Sequence, residues 1–390
     1  MFDIAKLRRL SGTCAIVGAA ESTAMGRVPD QSALQLAADA AFNALEDAGL
    51  QKTDVDGILT ASFSPAAFGE YMGIAPRFLD GTAVGGCSYI IHLSHVAAAL
   101  HAGLCEVALV VHGESGYSRL GMPGLGNQAP TPTGQFEGPW GVRGAPSGFS
   151  IPVLQHFAKY GTTKDHLAEV AVATRKWANL NPRAYMHDKT MSVEDYHNSP
   201  WVAHPFQLFD CCLVTDAGGA YVVTTTERAR DLKRPPVSVL GCGEGTEHRN
   251  VSMMHDFTTS IAAKHSGERA FAMADVTHSD LDVVNLYDAF TFTPILALED
   301  LGFCQPGEGG PFVSNQRTAP GGDFPMNTNG GGLSYTHTGM YGMFCILEVI
   351  RQVRGDFAGT PRQVPDVKIG LAHGPGGYFS AAGTAILASV

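Results

Sequence analysis

Charge is scarce in this chain. Only 16% of its 390 residues are Asp, Glu, Lys or Arg, and no basic stripe interrupts a net charge of −11. That excludes nucleic acid as the main partner. It leaves room for a phosphate-bearing ligand, which needs only a few local cations. No apolar run is long enough for a membrane span. The first residues, Met1 to Leu10, lack a long apolar stretch and a small-residue cleavage site, so no secretory signal is expected. The eight cysteines (14, 87, 105, 211, 212, 242, 304 and 345) are scattered, many within apolar runs. Neither a disulfide framework nor a zinc spacing emerges, and the pattern fits reduced core thiols in a cytoplasmic protein. His92, His95 and His101 have no Cys or carboxylate beside them in sequence, and no metal is expected.

What is abundant is apolar residues (45%) and glycine (46 residues). Strand-like and helix-like runs alternate. Cys14 to Gly18 reads as a strand, and Ser32 to Ala48 as a helix capped by Asp30 or Ser32 and stopped at Gly49. Val55 to Thr60 and Glu106 to His112 read as strands around an apolar helix, Ser88 to Ala102. This alternation predicts an α/β fold whose sheet is largely parallel. The layout recurs: Asp54 to Phe63 resembles Asp280 to Phe290, and Gly85-Gly86 precedes one apolar helix as Gly330 to Gly332 precede another. The length and this self-similarity predict two related halves, 1–233 and 234–390. The first carries a Gly/Pro/aromatic-rich insertion, about 115–198, with short helices, of a kind that covers active sites or makes subunit contacts.

Candidate chemistry gathers at strand ends and glycine loops. Asn327 to Gly342 holds three consecutive glycines, then His337, then an amphipathic run from Met343 to Arg354. A titratable ring held by glycines near a helix start points to catalysis, since the helix start favours developing negative charge. Cys87 sits just before the Ser88 helix, where a thiol pKa is lowered, and is either a nucleophile or one more buried small side chain. Tyr287 follows the strand Val283 to Leu286, a place where α/β sheets present ligand-contacting groups. His373 is followed by Gly374, Gly376 and Gly377, whose backbone N–H groups are candidates for an oxyanion hole. Asp210 to Val223 reads as a turn plus a core strand, with Asp216 bonding backbone groups. Gly241-Cys-Gly-Glu-Gly is a weak dinucleotide-loop signal, because no convincing helix follows it.

Together these motifs resemble the thiolase superfamily over nearly the whole chain, and within it the sterol-carrier-protein-type thiolases and lipid-transfer-protein aldolases. Pro325 to Gly339, with Asn329 and His337, is similar to the family's Asn-x-x-Gly-Gly and Gly-His-Pro segment. Ile350 to Gly355 resembles its Gln-Leu-Arg-Gly helix end, and Ala372 to Gly377 its His-Asn-x-Gly loop. The resemblance implies two βαβαβαββ halves stacked as a five-layer αβαβα sandwich, commonly dimeric. It gives His337 the role of activating a nucleophile and binding the thioester oxygen.

The departures matter as much. Tyr287-Asp-Ala-Phe stands where the sterol-carrier branch has His-Asp-Cys-Phe, so Ala289 replaces a second catalytic thiol. Around Cys87 the pattern is Gly-Gly-Cys-Ser-Tyr, and a one-residue shift places Gly86 in the nucleophile slot. At both substituted places, with Tyr287 and with Tyr335 before the histidine, the chain resembles the aldolases. Those are implied to cleave a β-hydroxyacyl-CoA by retro-aldol reaction, with coenzyme A as part of the substrate, no covalently bound cofactor, and a small zinc-ribbon/OB-fold partner protein. Acyl transfer through Cys87 is the alternative, and a non-catalytic acyl-CoA or lipid-binding subunit is the reading from another class.

Overall fold

A computed structural model describes residues 3–120, 131–142 and 144–390. The stretch 121–130 of the predicted insertion lies outside the described residues. Nine strands form one sheet: β1 (Cys14–Glu21), β2 (Gly57–Leu59), β3 (Phe78–Asp80), β4 (Val107–Ser115), β5 (Asp216–Thr225), β6 (Val237–Thr246), β7 (Val283–Leu286), β8 (Ile369–Gly376) and β9 (Ala381–Ser389). Seven helices position the site: α1 (Ala33–Ala48), α2 (Ser88–His101), α3 (Ala145–Tyr160), α4 (Lys164–Asn179), α5 (Ile261–Ala274), α6 (Phe292–Asp300) and α7 (Gly342–Arg354). Helix α1 starts and stops as its sequence predicts. Ser32 and Gln35 close a capping box, and Gly49 ends the helix at φ 72°.

The strand order is β3-β2-β4-β5-β1-β6-β9-β8-β7. Strands β1 and β6 meet antiparallel through only two residue pairs, Ala15–Ser238 and Ile16–Val237. On either side of that seam the arrangement mirrors itself. Each half's first strand lies beside its last, and the last lies beside a strand that pairs in parallel with an earlier one. The expectation of a largely parallel sheet is corrected: β5 runs antiparallel to both β4 and β1, and β9 to both β8 and β6. For β8 and β9 the cause is a four-residue connection, which permits only a hairpin.

Helices α2 and α7 lie between the two halves of the sheet and touch both. Helix α1 covers the outer face of the β1–β5 half, and α5 that of the β6–β9 half. This is the five-layer αβαβα order. The largest apolar cluster joins both halves of the sheet to the inner helices, from Ile16 and Val110 through Leu93 and Ile346 to Leu387. The outer helices are seated on glycines. A Cβ on Gly241, Gly243 or Gly245 would fall 2.2, 1.9 or 2.3 Å from the carbonyl oxygens of Ala270, Ser266 and Ala262 on α5. The weak dinucleotide signal is therefore strand β6 with a helix pressed on it. Glycines 18, 113 and 218 do the same beneath α1. Asp216 accepts bonds from the N–H groups of Val28, Tyr117 and Ser118, as its sequence setting predicts.

The insertion carries the expected short helices, Pro132–Phe136 and Val193–His197, and two long ones besides, α3 and α4, of 16 residues each. Helix α4 supplies buried Leu167, Ala171 and Trp177 to the core, so it adds interior as well as cover.

Candidate active site

Both inner helices begin at one point. The N–H of Gly342, first residue of α7, donates to the carbonyl of Gly86 just before α2, at 3.1 Å. A Cβ at Gly342 would lie 2.4 Å from that oxygen, so only glycine lets the two starts meet. Gly85, Gly86 and Gly339 line a cavity of about 450 Å³. Two helix dipoles thus present their positive ends beside it.

Tyr287 and His337 line the same cavity, and Tyr287 Oη lies 2.8 Å from His337 Nε2. Thr215 Oγ1 and Thr215 N–H bond the His337 backbone at 2.8 and 3.0 Å, fixing where the ring starts. Asp288 holds the turn before it, accepting from the N–H of Gly332 at 2.6 Å and of Leu333 at 3.2 Å. Burial pulls the His337 pKa down to about 4 and pushes the Tyr287 phenol well up. At neutral pH the imidazole is therefore uncharged and the tyrosine keeps its proton. The pair is read as Tyr287 O–H donating to Nε2.

The other residues singled out from the sequence lie elsewhere. Cys87 is fully buried against Ile91, Ala381 and Val84, does not line the cavity, and has its thiol pushed up to about 12 by burial. The expected lowering at a helix start is reversed because desolvation outweighs the dipole. Gly86 takes the place beside the site instead, with a Cβ direction that runs into the Tyr287 ring at 2.1 Å. Tyr335 is buried outside the cavity and donates to Glu21 at 2.8 Å. His373 bonds Thr384 through Nδ1 at 2.8 Å, and burial pulls its pKa down to about 3. The next residue of β8, Gly374, faces the Tyr287 side chain, so strand alternation turns His373 to the opposite side of the sheet. Pro375 and Gly377 line the cavity, whereas Gly376 packs on Val84 and Cys87. Asn329 supports the loop, its Oδ1 accepting from Gly331 N–H and Tyr341 O–H, each at 2.8 Å.

The family model described as thiolase C-terminal domain-like matches residues 243–389. Over 379 residues the chain is 32% identical to the steroid side-chain-cleaving aldolase of Thermomonospora curvata, covering 94% of this chain and 96% of that one. It is 34% identical over 364 residues to the 17-hydroxy-3-oxo-4-pregnene-20-carboxyl-CoA lyase of Mycobacterium tuberculosis, covering 89% and 92%. The chain belongs to the thiolase superfamily. Its fold superposes on the Ltp2-ChsH2(DUF35) aldolase with a TM-score of 0.88 at 31% identity, covering 97% of this chain and 98% of that one. A monomeric SCP2-thiolase-like protein of Mycobacterium smegmatis shares the thiolase fold at a TM-score of 0.75 and 21% identity, covering 97% and 77%.

Two residues around this thiolase-fold cavity escaped sequence reasoning. Cys212, read there as part of a structural turn, lines the cavity, and burial keeps its thiol protonated by pushing the pKa up. Glu114, at the end of β4, presses its carboxylate where a side chain on Gly339 would sit, 2.4 Å from that position, and burial raises it to about 7. Neither carries a motif. Only the register of β4 and the turn after residue 210 bring them to the site.

Proposed function

We propose that this protein cleaves a β-hydroxyacyl-CoA by retro-aldol reaction, the acyl part being of lipid or steroid side-chain type. The observation that carries the reading is the 2.8 Å contact between Tyr287 Oη and His337 Nε2, beside Gly86, whose side-chain position the Tyr287 ring fills. The names of the high-coverage aldolase and lyase relatives support it.

The β-hydroxyl of the substrate gives its proton to Tyr287 Oη as Tyr287 passes its own to His337 Nε2. The Cα–Cβ bond then breaks, and its electron pair becomes the enolate of the departing acyl-CoA. Its oxygen gains from the two helix starts at Gly86 and Gly342. The proton held by His337 returns through Tyr287 to Cα, which closes the balance with a free carbonyl compound and a shorter acyl-CoA. Arg249, exposed on the cavity lining, supplies a cation for the phosphates of coenzyme A. The protein acts as a homodimer with a small zinc-ribbon/OB-fold partner; the Ltp2-ChsH2(DUF35) aldolase among its structural relatives supports the partner.

The test uses the CoA ester named for the Mycobacterium tuberculosis relative and follows release of the carbonyl product, with the partner protein present. Tyr287→Phe is expected to lower kcat by about 10²-fold or more, and Cys87→Ala to leave it within a few-fold. Full activity in Tyr287→Phe, or a trappable acyl-enzyme that disappears in Cys87→Ala, overturns the reading.

A further inference from the structure

A second cavity, of about 250 Å³, shares Cys212 with the first. Its walls are apolar, with Met186, Met191, Leu208 and Leu213 among them, and among the described residues they contain a single charged group, Arg175 of α4. Arg175 is 4% exposed. Its Nε donates to Ser334 Oγ at 2.8 Å and its Nη1 to the Lys189 carbonyl at 3.4 Å. The Phe209 ring lies 5.7 Å away. A guanidinium carries five N–H donors, so most of them find no acceptor among the described residues. Other arginines of the core have acids: Arg351 pairs with Glu21, Arg354 with Asp47 and Arg362 with Glu348. No described carboxylate lies within ion-pair distance of Arg175, and a buried charge without a counter-charge is costly to keep. Ser334 and Leu333 belong to the turn that leads to His337, so whatever occupies this cavity borders the loop carrying the proposed proton acceptor.

We infer that this cavity receives the part of the substrate beyond the cleaved bond, and that this part is an apolar body ending in a carboxylate bound by Arg175. The inference rests on the acyl-CoA reading above and narrows its substrate class. An apolar wall removes the body from water, while the planar fork of the guanidinium matches a carboxylate with two parallel bonds. Burial lowers the Arg175 pKa only to about 10, so the charge persists at neutral pH.

The test is calorimetric, on the full chain with its partner protein. The probes are suberyl-CoA and octanoyl-CoA, which match in length and differ in a terminal carboxylate against a methyl group. The wild type is expected to bind suberyl-CoA about tenfold more tightly or better. Arg175→Met should reverse that preference, and Arg175→Lys should keep its sign. Equal binding by the wild type, or a preference for octanoyl-CoA, overturns this inference alone and does so without any variant. Failure of both thioesters to bind overturns the acyl-CoA reading and this inference with it.

Discussion

At the residue scale the chemistry depends on burial. His337 is partly buried in the cavity wall, and the loss of water around it keeps its ring neutral well below the usual histidine range. A base must be unprotonated to act, so activity is retained as pH falls and is lost only on approaching about 4. Glu114 titrates nearby, at about 7, and its charge bears on Tyr287. Glu114→Gln removes that neighbouring titration. In this variant the acid limb of kcat/KM should lie near 4, and a limb between 6 and 7 would show that burial does not hold His337 below the usual histidine range. Tyr287 and His337 were legible as types beside strand-end and glycine motifs. For Cys87 the sequence left a nucleophile and a buried small side chain both open, because helix position is visible in a sequence and desolvation is not. His373 was misread by ignoring strand period, since two neighbours on β8 face opposite ways.

At the element scale, the outer helices lie on glycine grooves. The spacing is two along the strand and four along the helix: Gly241, Gly243 and Gly245 meet Ala270, Ser266 and Ala262. These periods put small residues of each element opposite one another, so the backbones approach closely. Gly243→Ala would place a methyl group against the Ser266 carbonyl, which cannot yield as a flexible side chain does. We expect a loss of about 1–3 kcal/mol in urea unfolding, with the cavity residues unmoved. In sequence this run resembled a ligand loop. Only the placement of α5 along β6 distinguishes a seat for a helix from a seat for a phosphate.

Across the whole molecule, Glu21 at the end of β1 joins Arg351 near the end of α7 and accepts from Tyr335. Burial alone would raise the Glu21 carboxyl, but Arg351 holds it at about 2. Its folded pKa lies below the unfolded value, so its contribution is present above about 4.5 and disappears as pH falls towards 2. The size is on the order of 3 kcal/mol. Glu21→Gln should lower stability at neutral pH by a similar amount and flatten the wild-type loss between pH 4.5 and 2, as denaturant titrations at stepped pH would show. The five layers were legible from the family resemblance and the repeated strand–helix runs. The mixed strand directions and the cavity around Arg175 were not, because both arise from contacts between segments far apart in the chain.

The contact between Gly86 and the Tyr287 ring constrains the routes by which sequences of this family can change. The ring fills the room that a side chain on residue 86 would need. A thiol introduced there meets the tyrosine, and removing the tyrosine alone leaves neither a nucleophile nor a relay. On the proposed mechanism each single step disables the protein, so a change between the two chemistries requires paired substitutions at 86 and 287. Lineages on either side would therefore keep their residues at 86 and 287 as a matched set.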